Sequence, residues 1–96
     1  TLEIILSSIP ENNRNEYLAK VLSGLSDKDI LLLRTYYEES QSLSRTCEKL
    51  FLHKNTLQYK LNRIHHICGF NPRDFKDAVI LYLAVKIQEH GCFPYM

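Results

Sequence analysis

Residues 50–64 read LFLHKNTLQYKLNRI, and this stretch decides the fold of the 96-residue chain. Three of its apolar residues, Leu57, Leu61 and Ile64, are followed by Cys68 just beyond the stretch. These four residues are spaced four, three and four apart. That spacing places them on one face of a helix. Amides, hydroxyls, a phenol and a guanidinium occupy the other face, and residues 54–68 contain no acid. The stretch therefore predicts an amphipathic helix from Lys54 to about Cys68, ended by Gly69.

A second, shorter helix is predicted just upstream. Ser42 or Ser44 can cap it, and it ends near Phe51, before a tight turn at Leu52–His53. A short helix, a tight turn and a longer polar-faced helix follow the order of a helix-turn-helix, whose second helix enters the major groove of DNA. His53 occupies the cap position of that second helix, where free N–H groups and the helix dipole favour a phosphate.

The rest of the chain also has a helical pattern, and no segment alternates with period two over the length of a strand. Three further helices are predicted from apolar stripes and from pairs of residues that can cap a helix start. The first begins at the pair Ser8 and Glu11 and ends near Gly24, the second begins at Ser26 and Asp29 and ends near Ser40, and the third begins at Asp74 and Asp77 and ends near Glu89. We therefore expect an all-α domain of five or six helices. Residues 1–24 would be an N-terminal helical segment leading from an upstream region, and residues 25–96 the helix-turn-helix domain, forming one compact unit overall.

Charge is distributed unevenly along the chain. The net charge is only +1, yet residues 1–44 carry −3 and residues 45–66 carry +4, with Glu48 as the single acid of the latter segment. Such asymmetry indicates a polyanionic partner. The longest apolar run, Ala78 to Val85, is too short to span a bilayer, so we expect no membrane association. The odd number of cysteines, three, indicates a reducing compartment and predicts a cytoplasmic protein.

A metal site or a catalytic cluster is the competing interpretation of the histidines and cysteines near residue 66. His65 and Cys68 are three residues apart and could face one ion, but His65 and His66 diverge by about 100° on a helix. No second Cys-x-x-Cys or His-x-x-x-His arm completes a tetrahedral set. Cys47 and Cys68 lie at apolar positions, where a thiol acts as a small hydrophobe. We therefore expect no metal, no cofactor and no enzymatic activity.

Residues 50–64 are also similar to the signature of a known family, Leu-Phe-x-His-Arg/Lys-Asn-Thr-Leu-x-Tyr-Arg/Lys-Leu-x-Arg-Ile. It marks the C-terminal helix-turn-helix of PucR/CdaR-type bacterial transcriptional regulators. The likeness extends over residues 25–88, and the turn resembles that of the factor-for-inversion-stimulation class. The resemblance implies a DNA-binding module whose sensory region lies upstream. Gln58 and Asn62 stand where that family commonly has Arg, which implies a different operator sequence.

The contact residues follow from the outer face of the helix, from the preceding helix and from the resemblance. The predicted DNA-binding residues are Ser44, Arg45, His53, Lys54, Asn55, Thr56, Gln58, Tyr59, Lys60, Asn62 and Arg63. Tyr59 could equally be a packing residue. Lys60 lies on the flank of the core stripe, so its stem can pack while its ammonium reaches a phosphate.

We expect sequence-specific binding of double-stranded DNA, by a homodimer in the full-length protein, with any effector bound by the upstream region. Candidate dimer surfaces are the last helix and the apolar stretch Leu2 to Ile9, unless this domain's own core uses both. The alternative is a helical protein-interaction module that docks an acidic partner through the same basic face.

Overall fold

A computed structural model describes residues 2–91, and over that range the chain forms six α-helices and no strand. The helices are α1 (Leu2–Ser7), α2 (Glu11–Val21), α3 (Asp27–Glu38), α4 (Leu43–Leu50), α5 (Lys54–Cys68) and α6 (Phe75–Gly91). The predicted all-α class and the helix-turn-helix order are confirmed. Residue 1, in the predicted N-terminal segment 1–24, and residues 92–96, in the predicted domain 25–96, lie outside the described residues. The division near residue 25 stays a prediction.

Helix α6 is the centre of the packing, since α1, α2 and α3 all contact it, while α4 contacts α3 and α5. Its buried positions face the core cluster, which draws on α2, α3, α5 and α6. The fully buried large side chains include Leu33, Leu57, Leu61, Ile64, Leu81 and Val85. The predicted stripe of α5 is therefore the part of that helix that anchors it to the domain.

The predicted start of α3 is confirmed in atomic detail. The Asp29 amide donates to the Ser26 hydroxyl at 3.2 Å, and the Ser26 amide donates back to the Asp29 carboxylate at 3.1 Å. This reciprocal arrangement is a capping box, which satisfies two backbone donors that a helix start would leave free. The helix ends at Glu38, two residues before the predicted Ser40.

The predicted capping box at Ser8 and Glu11 is wrong. The N-cap of α2 is Pro10, with no side-chain cap, and the Ser8 hydroxyl instead donates to the Ile5 carbonyl at 2.7 Å at the end of α1. Proline lacks an N–H and disfavours helical geometry in the residue before it. The chain therefore ends one helix before Pro10 and begins the next after it.

The start of α6 follows the prediction in part. The Asp77 amide lies 3.4 Å from the Asp74 carboxylate, and the Ala78 amide donates to the Asp74 carbonyl at 2.7 Å. The Asp77 carboxylate, however, accepts from the Asn71 amide at 2.9 Å and not from Asp74. Asp77 therefore fixes the loop between α5 and α6.

Candidate nucleic-acid interface

Helix α4 begins at an N-cap residue, and two residues of its first turn, Ser44 and Arg45, are exposed. The Ser42 hydroxyl accepts from the Arg45 amide at 3.2 Å, so Ser42 is the N-cap that the sequence left open between Ser42 and Ser44. Thr46 is fully buried and its hydroxyl donates to the Ser42 carbonyl at 2.7 Å. This arrangement holds Ser44 and Arg45 at the exposed start of α4.

The turn between α4 and α5 is closed by Phe51, which adopts a left-handed conformation with φ of 56°. The amides of Phe51 and Leu52 both reach the Cys47 carbonyl, as in a helix-terminating Schellman-type turn. A residue other than glycine is uncommon here because its Cβ approaches the backbone. The Phe51 ring is nearly fully exposed, so it contributes nothing to the core.

Helix α5 starts with His53 as its N-cap, as predicted. The His53 Nδ1 atom accepts from the Asn55 amide at 3.2 Å, and the His53 carbonyl accepts from the Leu57 amide at 3.0 Å. Because Nδ1 is the acceptor, the proton of the neutral ring sits on Nε2. The N–H groups of the first turn point out of the helix end with the positive pole of its dipole, as an anion site requires.

The two faces of α5 differ completely in burial. Leu57, Leu61 and Ile64 are fully buried, while the opposite side, here called the outer face, consists of Asn55, Tyr59, Asn62 and His66, all of them exposed. Tyr59 is 67% exposed and therefore does not act as a packing residue within the described chain. The inner and outer faces of α5 are therefore those that the apolar spacing predicts.

All eleven predicted contact residues lie on the α4 start, the turn or α5, and none is buried. Nine are exposed, and Gln58 and Lys60 are half-buried. Lys60 lines a groove of about 240 Å³ together with Leu50 and Leu52. The helix-turn-helix thus leaves all eleven predicted residues at least partly accessible, and their contact with DNA stays a prediction.

Arg63 has a partner within the chain that the sequence did not indicate. Its guanidinium Nη2 donates to the Asp29 carboxylate at 2.6 Å, and Asp29 is buried. Asp29 therefore joins the start of α3 to the third turn of α5 through one carboxylate. Contact of Arg63 with DNA stays a prediction, and any such contact has to use the guanidinium nitrogens that do not face Asp29.

Arg73 lies beside the outer face of α5, a position that the sequence did not indicate. It lies in the loop between α5 and α6, and its guanidinium donates to the Asn62 side-chain oxygen on the outer face. Residues 67–96 balance three basic residues against three acids, so charge counting along the chain gives Arg73 no prominence. Only the path of the loop places this cation beside α5.

This geometry can be compared with known proteins. The family model of the PucR C-terminal helix-turn-helix domain matches residues 30–87, which include α4, the turn, α5 and most of α6. The chain belongs to the PucR C-terminal helix-turn-helix family. The resemblance drawn from residues 50–64 is thereby confirmed.

Two of the curated relatives of this PucR-type domain are named as regulators. It is 33% identical over 93 residues to the carbohydrate diacid regulator of Escherichia coli, covering 92% of this chain and 24% of that protein. It is 28% identical over 90 residues to the purine catabolism regulatory protein of Bacillus subtilis, covering 88% of this chain and 17% of that protein. The chain therefore spans about a quarter or less of the length of these relatives.

A solved structure also resembles the PucR-type domain. The regulator of polyketide synthase expression from Bifidobacterium adolescentis aligns with a TM-score of 0.73 and 26% sequence identity, over 86% of this chain and 36% of that one. Among residues 2–91 no helix is long and apolar enough to cross a membrane.

Among residues 2–91, the thiols and histidines do not form a metal-ligand set. Within the described range, no group of three or more His, Cys, Asp or Glu side chains is arranged to hold a metal ion. Cys47 and Cys68 are free and half-buried. Burial raises the pKa of the Cys68 thiol above its ordinary value, which disfavours the thiolate that a nucleophile or a metal ligand needs.

Proposed function

We propose that this domain binds double-stranded DNA in a sequence-specific manner, with α5 in the major groove. The observation that carries the proposal is the acid-free side of α5, which is exposed along the whole helix and presented by a helix-turn-helix. Solvated helix faces ordinarily mix Glu with Lys. A face of amides, a phenol and cations without any acid is matched to base edges and phosphates.

The dimensions support this proposal. Helix α5 has 15 residues and is therefore about 22 Å long, and a helix fits a major groove about 12 Å wide. Asn55, Gln58 and Asn62 follow one another at helical spacing, and their amides can read base edges. Lys54 and Arg45 flank them at the starts of α5 and α4, where phosphates would lie.

His53 supplies a specific phosphate contact in this arrangement. Its Nδ1 atom is occupied by the Asn55 amide, so the ring offers only its Nε2–H to a ligand. A hydrogen-bond donor beside the exposed amides of a helix start fits an anion. Ser44 and Thr56 add hydroxyl donors nearby, and Lys60 reaches the adjacent backbone through its long stem.

The experiment is an anisotropy titration of the domain against a duplex selected from random oligonucleotides and against a shuffled duplex. We expect tighter binding to the selected duplex and a linear fall of log K with log salt, with a slope of about −0.9 per phosphate neutralised. The alternative is docking to an acidic protein surface through the same face. Binding of poly-glutamate as tightly as DNA, with no preference between duplexes, would favour that alternative.

The proposal extends to a homodimer in the full-length protein. One recognition helix reads only a few base pairs, and regulators of this build gain discrimination from two half-sites about 34 Å apart. Helix α6 is mostly consumed by the core, but Phe75 and Val79 are exposed on it, as are Ile4 and Ile5 on α1. Sedimentation with an inverted-repeat duplex tests this. One domain per duplex at saturation, without preference for inverted repeats, contradicts it.

The remaining roles follow from the same assignment. We propose that the domain has no catalytic activity. We also propose that any effector binds the upstream part of the full-length protein. A regulator that binds chromosomal DNA in a bacterium works in the cytoplasm. Assays of the full-length protein against its isolated C-terminal domain would locate effector binding.

A further inference from the structure

The loop that carries Arg73 is held rigidly against the domain. The Pro72 carbonyl accepts from the Tyr37 hydroxyl at 3.1 Å and from the Gln41 side-chain amide at 3.2 Å, and Pro72 itself is buried. The Asn71 side-chain oxygen accepts from the Arg73 amide at 3.1 Å. The backbone that leads into Arg73 is thereby held, so the position of Arg73 beside α5 is set by the fold.

The contact between Arg73 and Asn62 determines how the Asn62 amide is oriented. A guanidinium has five donors and no acceptor, so only the oxygen of a side-chain amide can face it. Arg73 Nη2 accordingly donates to Asn62 Oδ1. The Asn62 NH₂ group is then the part of that amide turned away from Arg73, and it can only donate.

An asparagine restricted in this way reads DNA differently from a free one. When the oxygen and the NH₂ group of an asparagine both face the base, the oxygen accepts from adenine N6 while the NH₂ group donates to adenine N7. With its oxygen turned toward Arg73, Asn62 no longer presents its oxygen and its NH₂ group side by side to adenine N6 and N7, although the oxygen keeps a second lone pair. Its NH₂ group can donate to guanine at N7 or O6, whereas adenine offers it only N7 and places the N6 donor beside it.

We propose that Arg73 is a specificity-determining residue, which orients the Asn62 amide so that α5 prefers guanine over adenine at the position Asn62 reads. This inference rests on the proposed DNA binding and adds to it a base and a residue outside α5. Arg73 also places a positive charge beside the outer face. Its effect on base choice, however, comes from geometry and not from charge.

The test uses a domain with Arg73→Met, which keeps a long side chain and removes every donor. Affinities are measured for the selected duplex and for duplexes changed to each other base at every position in turn. Asn62→Ala identifies the position that Asn62 reads, because the preference there disappears. At that position Arg73→Met should lower the guanine-to-adenine affinity ratio by about fivefold or more, the lower end of a bidentate base contact.

The double variant and a charge control separate orientation from attraction. Arg73→Met combined with Asn62→Ala should match Asn62→Ala in base preference at that position. Lys20→Met removes one positive charge from α2 and should leave all base preferences unchanged. Adenine preferred by the wild-type domain at the Asn62 position, or unchanged preferences in Arg73→Met, would overturn the inference while leaving DNA binding intact. A wild-type domain without preference for any duplex refutes the proposed function, and the inference falls with it.

Discussion

Helices α5 and α6 are close in length, with 15 and 17 residues, but they use their side chains in opposite ways. Helix α5 commits one narrow stripe to the core and leaves its outer face exposed. Helix α6 is contacted by α1, α2 and α3 and buries Ala78, Leu81, Ala84, Val85 and Ile87. Substitutions in α6 should therefore act on stability, and substitutions on the outer face of α5 should act on binding.

The largest effect is expected in α6. Leu81 is fully buried, so Leu81→Ala leaves a cavity and should lower the free energy of unfolding by about 2–5 kcal/mol. Urea titration measures the loss. Val79 lies on the exposed side of the same helix, and Val79→Ala is the control, with a change of about 0.5 kcal/mol. Equal losses for the two variants would remove the contrast between the sides of α6.

The next effect belongs to the outer side of α5. Replacing Asn55, Gln58 or Asn62 by Ala should cost about 1–3 kcal/mol on the preferred duplex for each residue that contacts a base, and relax preference at one position. The free energy of unfolding should change by about 0.5 kcal/mol or less, because none of these side chains is buried. Equal losses on preferred and random duplexes for all three would reject base reading.

An effect of intermediate size is expected on the stability of the domain at high pH. Burial, with smaller contributions from Tyr36, Cys68 and Asp77, raises the pKa of the Tyr37 phenol above its ordinary value. The unfolded phenol ionises near pH 10 while the folded one stays neutral, so this stabilisation is complete below about pH 10 and is lost as pH rises further. Tyr37 also donates to Pro72 and packs edge-on against Tyr82 of α6.

Urea midpoints between pH 7 and pH 11 measure this loss. The wild-type domain should lose stability above about pH 10, and Tyr37→Phe should lose it less steeply while starting about 1 kcal/mol lower from the missing hydrogen bond. Tyr17 and Tyr36 also have raised pKa values through burial, so a residual slope is expected. Identical slopes for both proteins would show that Tyr37 is not responsible.

The smallest effect is expected from single charges at the edge of the interface. Lys54→Gln or Arg45→Gln should weaken binding to all duplexes alike and lower the salt slope by about one unit, because each removes one phosphate contact. Lys20→Gln on α2 serves as the control with an unchanged slope. A slope that stays fixed in the first two variants would mean that these charges are merely solvated.

Local patterns predicted α5 well because the information is local. The apolar spacing set its inner side, and His53 and Gly69 set its ends, where Gly69 adopts φ of 85° at the C-cap. The failed capping box at Ser8 was also decided locally. Ser8 and Glu11 have the same spacing as Ser26 and Asp29, but Pro10 lies between them. Pro10 has no backbone N–H to donate and disfavours helical geometry at Ile9.

Contacts between distant residues could not be predicted in this way. Arg63 meets Asp29 across 34 positions, and Arg73 meets Asn62 only because Tyr37 and Gln41 hold the intervening loop. No residue type or spacing in the sequence singles out these partners. They depend on the path of the chain once α3, α5 and α6 have packed.

The narrow stripe of α5 has a consequence for how such domains diverge. Leu57, Leu61 and Ile64 are the only fully buried residues among the fifteen of that helix, so most of its positions can change without loss of the fold. Under the proposed DNA binding, a gene copy could therefore change its target sequence through a few surface substitutions while it keeps its fold. A solved relative that keeps the architecture at 26% identity is compatible with such a history.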